Sequence, residues 1–178
     1  MKSNQGFTLI ELLVVIAIIG ILSSTVMTSV NTARDKSKIA QAKAQLRNIR
    51  SGMAMLESDT GKTLNGCPIG TVNHIALNEK DFNDTQLGLV TKPNAVVTGN
   101  ECNWTEIDRV LWNGPYIKSP LDPWGNQYVF EPDYIPYSIS GGCTGHPVEA
   151  ETVVIVSYGP NGEGLNDYDC DDIFYKLQ

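Results

Sequence analysis

Gly6-Phe7-Thr8-Leu9-Ile10-Glu11 runs directly into Leu12-Leu13-Val14-Val15-Ile16-Ala17-Ile18-Ile19-Gly20-Ile21-Leu22. From Phe7 to Val30 there are 24 residues and one charge, Glu11. As a helix this stretch is roughly 36 Å long, enough to cross a hydrocarbon core of about 30 Å. A polar leader, Met1–Gln5 with Lys2, precedes it. Two plain readings compete here. A secretory signal peptide needs a small-residue cleavage site, and Ser23-Ser24-Thr25 could pass for one, but the helical pattern runs on beyond it. A simple membrane anchor leaves Glu11 unexplained. A carboxylate in an apolar segment is costly unless paired, and no Lys or Arg lies within one helical turn of it. Glu11 either snorkels to the headgroups or finds its counter-charge on another chain.

Past Val30 the sequence turns polar, with no proline before Thr60. Ile39, Ala42, Leu46, Ile49, Met53 and Leu56 recur at helical spacing, with Lys43, Arg47 and Arg50 on other faces. The stripe is short for a coiled-coil seam and suits a helix laid on its own domain's sheet. Ser58-Asp59-Thr60-Gly61 supplies the stop, with Gly61 fitted to a left-handed cap. The expected division is a leader at 1–6, a transmembrane helix at 7–30, an amphipathic helix at 31–58 and a globular domain at 59–178.

The net charge of −7 hides a split. Residues 1–57 carry seven basic and three acidic side chains, and residues 58–178 carry six basic and seventeen acidic. An acidic domain repels phosphate backbones, which disfavours nucleic acid as a partner.

Residues 62–118 carry weak signals, with Asp84–Val90 and Thr105–Trp112 readable as short helices or strands. Later signals are clearer. Asp122-Pro123-Trp124-Gly125 has β-turn chemistry. Gln127–Glu131 alternates as a strand, Thr152–Tyr158 is a β-branched buried strand, and Ile173–Leu177 forms the last one. A long helix followed by a small antiparallel sheet is an α+β arrangement.

The Gly6-Phe7 junction with Glu11 resembles the class III signal of type IV prepilins and type II secretion pseudopilins. Pro120–Asn126 with Tyr128, and Ser157–Gly162 leading to Asp172-Ile173, resemble the major, G-type pseudopilin branch. The resemblance covers about two-thirds of the chain and leaves out 62–118. It implies cleavage by prepilin peptidase between Gly6 and Phe7, and N-methylation of Phe7. It implies a homo-oligomeric filament, of a type IV pilus or a secretion pseudopilus, in which Glu11 meets the Phe7 ammonium of a neighbour. It also implies an inner-membrane assembly platform and a subunit held in lipid before assembly. Arg34, Lys36 and Lys38 follow the apolar run, so a positive-inside count opposes a cytoplasmic leader. The processing motif requires that leader in the cytoplasm and the globular part outside it. Many family members carry a proline near the end of the apolar half, and this chain has none.

Asp167, Asp169, Asp171 and Asp172 place four carboxylates in six residues, near Asn161, Glu163 and Asn166. Folding them together calls for a cation, and oxygen-only ligands select Ca²⁺. The run is no EF-hand, because Asp172 stands where that loop needs Gly. Gly159–Gly164 lacks the Lys-Ser/Thr ending of a P-loop. The resemblance implies calcium in this loop, with Asp172 first because it matches the family's Asp-Ile ending. The other reading is a solvated acidic loop.

Cys67, Cys102, Cys143 and Cys170 are too far apart for CxxC motifs. Lying outside the cytoplasm, they favour two disulfides. Three connectivities are possible, and Cys67–Cys102 with Cys143–Cys170 is preferred because each bridge closes one region. His74 and His146 stand alone, and no catalytic arrangement emerges, so the chain reads as structural rather than enzymatic. A membrane-anchored extracytoplasmic binding module that does not polymerise is the alternative.

Overall fold

The structure is a computed structural model that describes residues 6–70, 79–95, 102–118, 121–139, 142–164 and 168–177. The chain divides into two compact units, Met1–Lys38 and Ile39–Gln178. One helix, α1 (Leu9–Thr60), supplies residues to both.

Within the first unit the apolar side chains of α1 are exposed, from Leu9 at 81% to Val30 at 41%. A segment rich in Val and Ile has modest helix propensity in water. In an apolar phase every backbone group must be satisfied internally, and a helix does that. Its hydroxyls follow the same rule. Ser24, Thr25 and Thr28 donate to the carbonyls of Ile21, Leu22 and Thr25, and Thr32 donates to that of Thr28.

In the second unit α1 buries Ala42, Leu46, Ile49, Met53 and Leu56. Ile39, expected in the same stripe, is 38% exposed and stands outside the core. The five buried positions pack with Tyr128, Phe130, Val153, Ile155 and Ile173 of the sheet region, and with Leu87, Leu89 and Trp104. Each large aliphatic side chain so buried contributes about 1.5–3 kcal/mol. Gly52 faces the segment Tyr116-Ile117, where an added Cβ would come within 2.5 Å of Ile117 Cγ2 and 3.2 Å of the Tyr116 carbonyl oxygen. Tyr128 donates its hydroxyl to Gln45 Oε1 at 2.8 Å, and Tyr116 donates to Asp59 Oδ2 at 2.9 Å. The helix stops where Gly61 takes φ +67° and donates its N–H to the Glu57 carbonyl.

The sheet is antiparallel throughout, in the order β1 (Lys80–Asp81), β2 (Val129–Tyr134), β3 (Thr152–Ser157) and β4 (Ile173–Lys176). The second strand starts and ends later than the alternation over 127–131 suggests. Its register runs Val129↔Val156, Phe130↔Ile155 and Glu131↔Val154, then shifts before Tyr134↔Thr152. Pro132 lacks the N–H that a ladder needs, and the extra residue bulges there. Thr105 and Asp108 form a reciprocal capping box on α2 (Glu106–Leu111), and a single 3-10 turn covers Thr85–Leu87. These are the two segments whose type the sequence left open. The Asp122 turn closes as its chemistry suggests, with Gly125 N–H on the Asp122 carbonyl.

The pleat gives the sheet two different faces. Phe130, Val153 and Ile155 face α1. Val129, Val154 and Val156 face a second cluster, roofed by Tyr134, Tyr158 and Tyr168.

Candidate assembly and cation sites

The N-terminal site begins with Thr8, which stands just before the first helical residue. Its hydroxyl donates to Glu11 Oε2 at 2.7 Å and its backbone N–H donates to the same oxygen at 2.8 Å. Glu11 N–H is 3.4 Å from Thr8 Oγ1. This is a Thr-x-x-Glu capping box, which settles helix-end donors that α1 would otherwise leave open. The sequence reading missed Thr8, although the i, i+3 spacing of Thr and Glu before an apolar run is the signal for such a box. Glu11 is thus held by its own helix end while its outward side stays exposed. Gly6 and Phe7 are non-helical and exposed, Phe7 at 88%. Met1–Gln5, the leader, lies outside the described residues.

The second site is the loop between β3 and β4. Gly159 and Gly162 both take positive φ, at +62° and +69°. A Cβ on Gly159 would meet the Asp171 carbonyl oxygen at 2.4 Å, so the two arms of the loop touch at backbone level there. Asn161 bridges them with its amide, which donates to Asp169 Oδ2 at 2.5 Å and to Asp171 Oδ1 at 3.1 Å. Asp169 Oδ1 accepts from Asp171 N–H at 3.0 Å. Asp172 Oδ2 accepts from the Tyr134 hydroxyl at 2.8 Å and from Asp169 N–H at 3.2 Å. Asp172 Oδ1 is buried without a partner. The bridge Cys143–Cys170 ties the loop to the segment after β2, and Cys67–Cys102 closes the earlier region.

Burial pushes Asp172 up to about 7, against the Tyr134 hydrogen bond that favours its charge. Burial, and then the Asp169 side chain, push Asp171 up to about 6. Both shifts mark negative charge crowded without a counter-ion. The carboxylates are of the type that holds a hard divalent cation, and the Asp172 oxygen Oδ1 is left unpartnered, while Asn161 turns its amide N–H groups to Asp169 and Asp171 and its oxygen to the Glu163 N–H. No three acidic, His or Cys side chains among the described residues are placed to hold a metal together. Asp167 and Asn166 lie outside the described residues, as does His74. Glu163 is exposed and donates its N–H to Asn161 Oδ1. His146 stacks on Tyr137 with ring centres 4.6 Å apart, a packing role.

The prokaryotic N-terminal methylation motif matches residues 1–27. The chain is 31% identical to the type II secretion system core protein G of Pseudomonas aeruginosa over 134 residues, covering 72% of this chain and 74% of that protein. It is 29% identical to the protein of the same name from Klebsiella pneumoniae over 166 residues, 91% and 89% of the two chains. The corresponding Vibrio cholerae protein is 28% identical over 73% of this chain and 72% of its own length. No solved structure matches the chain significantly.

Proposed function

We infer the role of this chain from one premise: it belongs to the family of type II secretion system core protein G, the major pseudopilins. It is a structural subunit of a pseudopilus, processed by prepilin peptidase. The observation that carries this is the junction at Gly6-Phe7, set directly before an apolar helix whose first turn holds Glu11. The relatives are named as core proteins of a secretion system, and a structural role is assigned here in place of catalysis.

Cleavage after Gly6 leaves Phe7 as an N-methylated terminus. The leader is cytoplasmic, the span waits in the inner membrane, and the globular unit lies beyond it. Glu11 is held by Thr8 in the single subunit. In the filament its outward side receives the Phe7 ammonium of a neighbour, delivered by an inner-membrane assembly platform. The loop Tyr158–Asp172 takes a calcium ion, held by Asp172 first, with Asp169, Asp171, Asn161 and Asp167 as the remaining candidates. The ion would supply positive charge, and the Tyr134–Asp172 bond would hold the first of these carboxylates for it, with the Asn161 amide turning its oxygen in place of its N–H groups.

Expression with prepilin peptidase and the secretion apparatus tests the filament. Surface fibres containing the chain are expected, together with loss of secretion when the chain is deleted. A processed chain that remains a membrane monomer would leave the non-polymerising binding module as its role.

A further inference from the structure

Glu131 is 0% exposed, and neither of its carboxylate oxygens makes a well-formed hydrogen bond, with the Asp133 N–H and the Tyr168 hydroxyl the donors nearest to it. It sits on the sheet face away from α1, in the same row as Val154. The bulge at Pro132-Asp133 brings a second carboxylate against it, and Glu79, next to β1, adds a third. Asp133 Oδ1 and Glu79 Oε1 are likewise buried without donors. The roof over this cluster is Tyr158 and Tyr168, 8% and 4% exposed, and the Tyr158 hydroxyl also lacks a partner.

An ionised carboxylate in such a place needs a cation. Among the described residues the candidates are few. Lys176 shares the cross-strand row through Val154, but it is exposed and its ammonium is bound by Glu149. Lys80, on the neighbouring strand, is bound by Asp84 and Gln86. The charged groups that act on Glu131 are Asp133 and Glu79, both negative. The three carboxylates are not placed to hold a metal ion together. A proton is the cation that fits, because it needs two oxygens and not a shell of six.

We propose that Glu131 is a neutral carboxylic acid in the native protein, sharing its proton with Asp133, and that this proton lets the sheet face stay packed beneath Tyr158 and Tyr168. Burial, first, and the Asp133 side chain, second, raise Glu131 from 4.5 to about 9, in the direction the geometry demands. A folded-state value raised above the unfolded one gives stability that is complete below the ordinary carboxylate range. That stability is lost as pH rises through about 9. The native packing of this sheet face is thereby sensitive to alkaline pH.

The test uses the full chain in detergent micelles, in saturating calcium and in chelator. Infrared spectra at neutral pH should contain a carboxylic-acid carbonyl band that disappears in Glu131→Gln. The melting midpoint of the parent should fall between about pH 7 and about pH 9.5, and that fall should flatten in Glu131→Gln in both media. Glu131→Leu serves as a second variant should the amide fold poorly. An absent band, an unchanged alkaline fall in the variants, or a Glu131 effect seen only with calcium would overturn the proposal.

Discussion

Tyr134, from β2, donates its hydroxyl to Asp172 Oδ2 at 2.8 Å inside the protein, two residues after the disulfide at Cys170. Together with the Asp169 N–H, which donates to the same oxygen, this bond fixes one side of the carboxylate and leaves the other, Oδ1, without a partner. A cation arriving at that oxygen finds it already aimed.

Calcium should therefore stabilise the folded chain, and more so as pH rises. Asp171 and Asp172 titrate at about 6 and about 7 without the ion, and a ligand carboxylate must lose its proton. In chelator, their raised values give stability that is lost as pH climbs through that window. Added calcium offsets this loss. The calcium-induced rise in melting midpoint should be small near pH 5 and larger near pH 8, where a hundredfold excess over Kd adds about 2.7 kcal/mol of stability. Asp172→Ala should abolish it. Equal midpoints with calcium and chelator at both pH values would reduce the loop to a solvated surface.

Thr8→Val keeps the size of the side chain and removes the hydroxyl that holds Glu11. Processing and membrane insertion should persist, since neither the Gly6-Phe7 junction nor the apolar span changes. Fibre yield should fall, though less than in Glu11→Leu, which removes the charge itself. Immunoblots of sheared fibres against whole membranes measure both. Normal yield in Glu11→Leu would leave only headgroup snorkelling for that carboxylate.

Gly52→Ala sets two terms against each other. Helix propensity favours alanine by about 0.8–1.0 kcal/mol. The new methyl would stand 2.5 Å from Ile117 Cγ2 and 3.2 Å from a backbone oxygen that cannot swing aside. Overpacking of this kind costs about 1–3 kcal/mol, so the variant should melt lower, and Gly52→Leu lower still. A raised midpoint in thermal melts would show that the Tyr116-Ile117 segment yields.

Cys143→Ser with Cys170→Ser frees the loop from the segment after β2. Asn161, Asp169 and Asp171 still bond to one another, so the fold should survive, but more of the loop's ordering then falls to the cation. Calcium affinity measured by calorimetry should weaken about tenfold or more, which corresponds to about 1.4 kcal/mol of lost ordering. Unchanged affinity would mean that the Asn161 bridge alone sets the loop.

The long helix was legible because its two halves carry strong one-dimensional signals, an apolar run and then a stripe at spacings of three and four. Ile39 misled because periodicity names a face and not the residue where burial begins. The two-residue strand at Lys80 has too little length to carry a pattern. The bulge at Pro132 needs a partner strand before it has meaning. Glu131 reads as one polar position in an alternating strand, and only the tyrosines folded over it make that position dry. The acidic loop was legible as a cluster. Which oxygen is left without a donor depends on Tyr134, thirty-eight residues away in sequence.

The most direct test of the account is the mass of the N-terminal peptide from assembled fibres. A subunit of a pseudopilus, cut after Gly6 and methylated, begins with N-methyl-Phe7. Fibres whose chains still begin at Met1, or at a residue after Ser23, would contradict it.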